Sequence, residues 1–262
     1  MSIVPNHALR QLRAGKLAVG LGVRNARTVD VAQIGKTCGF DWLFIDCEHS
    51  SMDLDTAAQI SSASLAVGIT PLVRVAGLEH WHASRILDNG AQGIVVPHVD
   101  SAGEAQRVAA ACRFPPLGKR SMGGGLQQVG FAPLPVGEVA RAVNEETLVV
   151  VMIESPQGVA NADEIASVQG IDALLVGTND LCFEMGIPGQ FNDPRVADAY
   201  KRVVAACRKH GKFAGMGGMY TPELLERHVD MGVQLVLSGN DFSLLMQAGT
   251  ARASLVRGFE KK

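Results

Sequence analysis

An α/β fold of the (β/α)8 TIM-barrel type is predicted for this 262-residue chain by three observations. Eight short, β-rich apolar runs alternate with amphipathic stretches, the pattern of parallel strands joined by crossover helices. No run is left over, as closure of a barrel requires. The Gly-rich turn G-x-G-x-x-G that would open a doubly wound sheet, the competing architecture, is missing after the first run. With 47% apolar residues the chain can bury one sizeable core, so a single domain over 1–262 is expected.

The runs follow in order: LAVGLGV (17–23), DWLFID (41–46), TPLVRV (70–75), GIVVPH (93–98), LVVVMIE (148–154), DALLVG (172–177), KFAGMG (212–217) and VQLVLSG (233–239). The helices between them carry start and stop chemistry. Asp53 precedes LDTAAQI, Ser101 precedes AGEAQRVAAA, and Thr221-Pro222 opens ELLERHVDMG with a cap and a first-turn proline. Gly211 and Gly232 stand where left-handed C-caps belong. Residues 114–136 (FPPLGKRSMGGGLQQVGFAPLPV) break the rhythm; an ordered loop of that length is expected above the C-terminal face, where barrels build active sites.

Charged residues make up 19% of the chain, the net charge is −2 and no basic run occurs, which argues against nucleic acid as a partner. No apolar run approaches the ~18 residues of a membrane span, and the polar start MSIVPNHALRQLRAGK lacks the apolar core of a signal peptide. Five cysteines, odd in number and without C-x-x-C spacing, fit neither a disulfide framework nor a zinc knuckle. A small-molecule partner and the reducing cytoplasm are the expectations.

Catalytic groups of a barrel stand at the carboxyl ends of its strands. Here those ends carry Asp46, Cys47, Glu48 and His49 after the second run, Arg74, His98 and Glu154 after the third to fifth, and Asp180 just past the sixth. Glu154 ends six consecutive apolar residues, where a carboxylate needs a cation. With Asp180 from the adjacent strand it makes an oxygen donor pair suited to a hard ion, Mg²⁺ or Mn²⁺. The alternative is that Asp180 caps its helix and Glu154 pairs with Arg74 or Arg120. His49, with Asp46 and Glu48 close by, has the makings of a general base, although it could equally cap a turn. Arg74 could offer its fork to a carboxylate or a developing enolate, or join a structural ion pair. A Schiff-base lysine is disfavoured: Lys16 and Lys212 stand at the wrong end, leaving only Lys119 in the long loop. Base, cation and two metal carboxylates on one face form a device for removing a proton beside a carbonyl.

The blocks DWLFIDCEHS, PLVRVAG, LDNGAQGIVVPHVDSAGEA, FPPLGKRSMG, VMIESPQGV and GTNDL resemble the 4-hydroxy-2-oxo-heptanedioate and 2-dehydro-3-deoxyglucarate aldolase family, class II pyruvate aldolases, in matching order from about residue 5 onward. The resemblance implies Glu154 and Asp180 as ligands of Mg²⁺, Mn²⁺ or Co²⁺, His49 as base, Arg74 as enolate stabiliser and Asp46 as the residue orienting His49. It implies substrate contacts from Gly177, Thr178 and Asn179 of GTNDL and from Arg120. It further implies that Asp88 is donated by a neighbouring subunit of a hexamer in which the last helix, 240–259, is exchanged. The substrates so implied are a 2-oxo acid and an aldehyde. Two departures stand out. Met152 replaces a glutamine common in relatives, and AGMGGMYTPE (214–223) places glycines and Tyr220 where more aliphatic residues are usual, a change that could favour hydroxypyruvate or bulkier aldehydes. Two other readings compete: a CoA-thioester lyase, as in citrate lyase β subunits and malyl-CoA lyases, for which Lys119-Arg120 is the one basic pair, and a catalytically silent barrel scaffold.

Overall fold

The computed structural model describes residues 3–77 and 80–260, so the extremes of the 1–262 span lie outside the described residues. Strands β1 (Ala18–Val23), β2 (Trp42–Asp46), β3 (Thr70–Arg74), β4 (Gly93–Val96), β5 (Leu148–Ile153), β6 (Ala173–Gly177), β7 (Phe213–Gly217) and β8 (Leu235–Asn240) pair in parallel and in sequence order, and β8 returns to β1 to close the barrel. Seven of the predicted runs contain their strands, and the eighth is overrun by one residue, to Asn240.

The two-residue period of a strand divides the apolar residues between two cores. Trp42, Phe44, Leu72, Val95, Val150, Met152, Leu175 and Leu237 fill the interior. Leu43, Ile45, Val73, Ile94, Val149, Val151, Leu174 and Val176 face the helices. Asp46 follows Trp42 and Phe44 on the inward side of β2, which is how a carboxylate comes to stand over the barrel interior. Gly20 makes room for Trp42: a Cβ there would lie 2.2 Å from the indole.

The helices are α1 (His7–Arg13), α2 (Asp30–Thr37), α3 (Leu54–Val67), α4 (His80–Asp88), α5 (Ala102–Cys112), α6 (Val136–Glu146), α7 (Pro156–Ala160), α8 (Ala162–Ser167), α9 (Thr178–Glu184), α10 (Pro194–Lys209), α11 (Pro222–Met231) and α12 (Asp241–Arg257). Helix α1 closes the bottom of the barrel with Ala8, Leu9 and Leu12. Asp53 and Ser101 cap α3 and α5 as their chemistry predicts, accepting from Thr56 N at 2.8 Å and Glu104 N at 3.3 Å. Gly232 (φ 111°) ends α11, and Gly211 (φ 65°) follows α10. Thr221 stands at the N-cap of α11 in extended backbone, but its side chain makes no capping bond. Among the described residues no helix is long and apolar enough to cross a membrane.

The long loop is a correction. It follows α5, and a helix in a β/α unit descends from the catalytic face, so residues 114–136 begin at the N-terminal side rather than above the site. Gln128 donates there to the carbonyls of Leu87 and Ala91 (2.7 and 2.9 Å), Val4 N bonds to Gln128 O, and Phe114, Leu126, Val129, Val139 and Val143 form a small core of their own.

Candidate active site

Eighteen residues at the C-terminal end of the barrel enclose a cavity of about 120 Å³, among them Asp46, His49, Arg74, Glu154, Gly177, Thr178, Asn179 and Asp180. Asp46 and Arg74 are direct cross-strand partners in the β2–β3 register. Arg74 donates through Nε (3.0 Å) and Nη2 (2.7 Å) to the two oxygens of Asp46, and its Nη1 lies 2.8 Å from Glu48 Oε2. Burial alone would raise the Asp46 carboxyl, but the hydrogen bonds and charge of Arg74 hold it below its usual range; burial alone would lower Arg74, and Asp46 and Glu48 keep it raised instead. This fork fixes a guanidinium over Phe44, 5.0 Å from the ring centroid.

Of the two carboxylates expected beside His49, Asp46 and Glu48, each meets a different part of that residue. The Asp46 carboxylate is taken by Arg74, and it reaches His49 through the backbone N–H alone, at 3.1 Å. The carboxylate beside the His49 ring is that of Glu48, with Nε2 3.8 Å from Oε2, and the ring is half exposed at the rim.

Glu154 follows β5 and Gly177 ends β6 beside it, and a Cβ on Gly177 would lie 2.4 Å from Glu154 Oε1, so the glycine is what lets the carboxylate sit there. Burial pushes the Glu154 carboxyl up to about 7, opposed by the His98 N–H at 2.9 Å and reinforced by the charge of Asp180. His98, at φ 52°, also brings Nδ1 to 3.4 Å from Glu154. Among the described residues no lysine or arginine bonds to Glu154 or Asp180, which answers the alternative in which Arg74 or Arg120 neutralises Glu154. Two carboxylates in one cavity, one of them lifted by burial, are a donor set that fits a divalent cation. They do not form a closed cage: no three His, Cys, Asp or Glu side chains converge among the described residues, so most positions of such an ion would face the cavity.

Of the GTNDL block, Gly177 and Asn179 face the cavity, while the Thr178 hydroxyl is spent on Tyr200 Oη and Gly217 O, both at 2.8 Å. Met152 lines the wall with Phe44, Leu175 and Leu237, a dry floor beneath the charged rim. Arg120 and Asp88 are not brought here. They bond to each other at 2.7 Å, with Arg120 stacked 4.3 Å over Phe114, and Asp88 ends α4 at the far side of its own barrel; a substrate contact by Arg120 within its own subunit is thereby corrected. The reading by strand ends missed three residues that line the cavity: Arg24 just beyond β1, Tyr220 after β7, and Asn240 at the end of β8. Arg24 and Asn240 did carry a signal, because both stand at strand ends.

Residues 23–248 match the family model described as HpcH/HpaI aldolase/citrate lyase. The chain is 38% identical over 262 residues to a 4-hydroxy-4-methyl-2-oxoglutarate aldolase of Chaetomium globosum, covering 98% of this chain and 97% of that one. It is 35% identical to a hydroxypyruvate/pyruvate aldolase of Delftia acidovorans, over 86% and 83% of the two chains. Among solved structures, an HpcH/HpaI aldolase from Desulfitobacterium hafniense superposes with a TM-score of 0.90 at 30% identity, covering 97% of each chain.

Proposed function

Because this chain belongs to the HpcH/HpaI aldolase/citrate lyase family, we propose that it is a class II aldolase, a carbon–carbon lyase that cleaves and forms 4-hydroxy-2-oxo acids with pyruvate or hydroxypyruvate as donor. The observation that carries this reading is the Glu154–Asp180 pair, with Glu154 lifted to about 7 inside a cavity that also holds a fixed guanidinium.

A divalent ion such as Mg²⁺, Mn²⁺ or Co²⁺ held by Glu154 and Asp180 would supply Lewis acidity to a 2-oxo acid. The chain's own residues do the rest. Arg74, immobilised by Asp46 and Glu48, places positive charge where an enolate oxygen develops and pays no reorganisation cost at that moment. His49 stands at the rim, able to take a proton from C3 of the donor or from the C4 hydroxyl of the aldol and to return it. Asp46 acts on Arg74, and through the backbone on the turn that carries His49. Phe44, Met152, Leu175 and Leu237 exclude water from beneath the reacting carbons, which protects an enolate from stray protonation.

The remaining assignments belong to the same proposal. Asp88 and Arg120 act as a pair at the site of a neighbouring subunit, since neither reaches its own. One barrel domain with an exchanged α12 assembles as a hexamer. A reducing cytoplasm suits the five free thiols, of which Cys112, Cys182 and Cys207 are buried.

The test is exchange of the C3 protons of pyruvate followed by NMR, on chelator-stripped protein before and after Mg²⁺ or Mn²⁺. Exchange that appears with metal alone is expected. No exchange in either state would sink the pyruvate reading and favour a different donor, a CoA-thioester substrate or a silent barrel.

A further inference from the structure

One cation of the cavity has no task in that mechanism. Arg24 lines the same space as Glu154 and Asp180, yet it differs from Arg74 in exposure and in how many of its donors are committed. The side chain of Arg74 is 8% exposed and committed to two carboxylates, whereas that of Arg24 is 39% exposed. Arg24 Nε lies 3.3 Å from Asp46 Oδ2 and its Nη2 donates to the His49 carbonyl at 2.6 Å, while Nη1 makes no bond among the described residues. A guanidinium anchored on one edge and open on the other is a half-made fork, and its geometry matches a carboxylate.

The backbone beneath it is fixed as well. The Asp241 carboxylate, in the first turn of α12, accepts the N–H groups of Arg24 (3.1 and 3.2 Å), Asn25 (2.9 Å) and Ala26 (2.7 Å). Three consecutive amides on one carboxylate hold the loop after β1 in a single conformation. The cost of ordering a long side chain is thus largely met before any ligand arrives. Tyr220 and Asn240 line the same cavity as this guanidinium and add neutral polar groups to its wall.

Resting on the aldolase reading, we propose that Arg24 binds a carboxylate of the acceptor, so that the preferred acceptor is a short oxo acid with its carboxylate next to the reacting carbonyl rather than a neutral aldehyde. In synthesis the enolate electron pair of the donor forms the C3–C4 bond, the acceptor carbonyl oxygen takes a proton from His49, and the product is a dicarboxylic 4-hydroxy-2-oxo acid. Cleavage runs the same steps backward: the C4 hydroxyl proton goes to His49, C3–C4 breaks and its electron pair becomes the enolate. The pairing separates two negative charges, one toward Glu154–Asp180 with their cation and one on Arg24.

The experiment compares cleavage of two substrates that differ only at C4, 4-hydroxy-4-methyl-2-oxoglutarate and 4-hydroxy-2-oxopentanoate, by the full chain with added Mn²⁺. The wild type should prefer the dicarboxylate. In Arg24→Gln the ratio of kcat/KM values, dicarboxylate over monocarboxylate, should fall by roughly 30- to 100-fold, the worth of one charged hydrogen-bonded contact. Arg24→Lys should recover part of it, and Asp241→Asn, which loosens the loop, should move the ratio the same way by less. Equal losses on both substrates, or a wild-type preference for the monocarboxylate, would overturn the assignment while leaving the aldolase reading intact. Pyruvate exchange without cleavage of either compound would likewise overturn the acceptor class alone. Absence of both exchange and cleavage would overturn the two together.

Discussion

At the scale of single residues, the site is governed by carboxylates that burial makes costly. The carboxyl of Glu154 stands near 4.5 in an unfolded chain and about 7 in the folded one, so between those values the folded state holds an extra proton and its stability falls as pH rises. The full penalty, on the order of 3–4 kcal/mol at 1.4 kcal/mol per unit, is present above pH 7 and absent below pH 4.5. Glu154→Gln should therefore stabilise the metal-free protein at pH 8 and change little at pH 4. Added Mn²⁺ should raise the midpoint of the wild type and leave that of the variant where it was. Denaturant midpoints at the two pH values check this, and a variant less stable at pH 8 would refute the assignment of the penalty. Gly177→Ala should weaken Mn²⁺ binding by at least about tenfold at constant barrel content by circular dichroism, because its methyl group would displace Glu154. Unaltered binding by calorimetry would remove Glu154 from the ion. Asp46, Arg74 and Glu154 were legible because a polar residue closing an apolar strand has few other reasons to be there, and Asp180 because it opens the helix just past β6. Glu48, the partner of the His49 ring, was legible from its nearness in sequence; the His98 partner of Glu154 was not, since it depends on how the turn after β4 folds back, down to the left-handed backbone of His98.

At the scale of elements, the strands were readable because each is a short run buried along almost its whole length, and the caps at Asp53 and Ser101 because a side-chain oxygen there answers a local need. The long loop was misplaced for want of one topological step. Its length suggested function, but its position after a descending helix decides which face it serves. Gln128 bridges α4 and the turn before β4 from that loop, and its loss would leave two carbonyls without their donor. Gln128→Ala should cost about 1–3 kcal/mol of stability, read by urea denaturation, while pyruvate exchange at 25 °C stays near the wild-type rate. A selective collapse of exchange in a stable variant would place the loop above the active site of its own barrel.

At the scale of the molecule, α12 has no buried residue, and Phe242, Leu245, Met246, Leu255 and Val256 present apolar surface to solvent. A 17-residue helix in that condition is incompletely packed within one chain. The sequence pointed to exchange of 240–259 through family resemblance rather than through pattern, since the apolar residues of this helix do not gather into a single stripe. Leu245→Asp should shift the protein to smaller assemblies in light-scattering chromatography without unfolding the barrel. An unchanged mass would mean that this surface is not the contact.

The carboxylate of Asp241 belongs to that same helix and grips the three amides that shape the loop beneath Arg24. If α12 takes its final position only against a neighbour, specific activity ceases to be a constant of the protein. Progress curves would show a lag after dilution, with initial rate rising faster than linearly in enzyme, and the dicarboxylate preference would be regained on the timescale of reassembly.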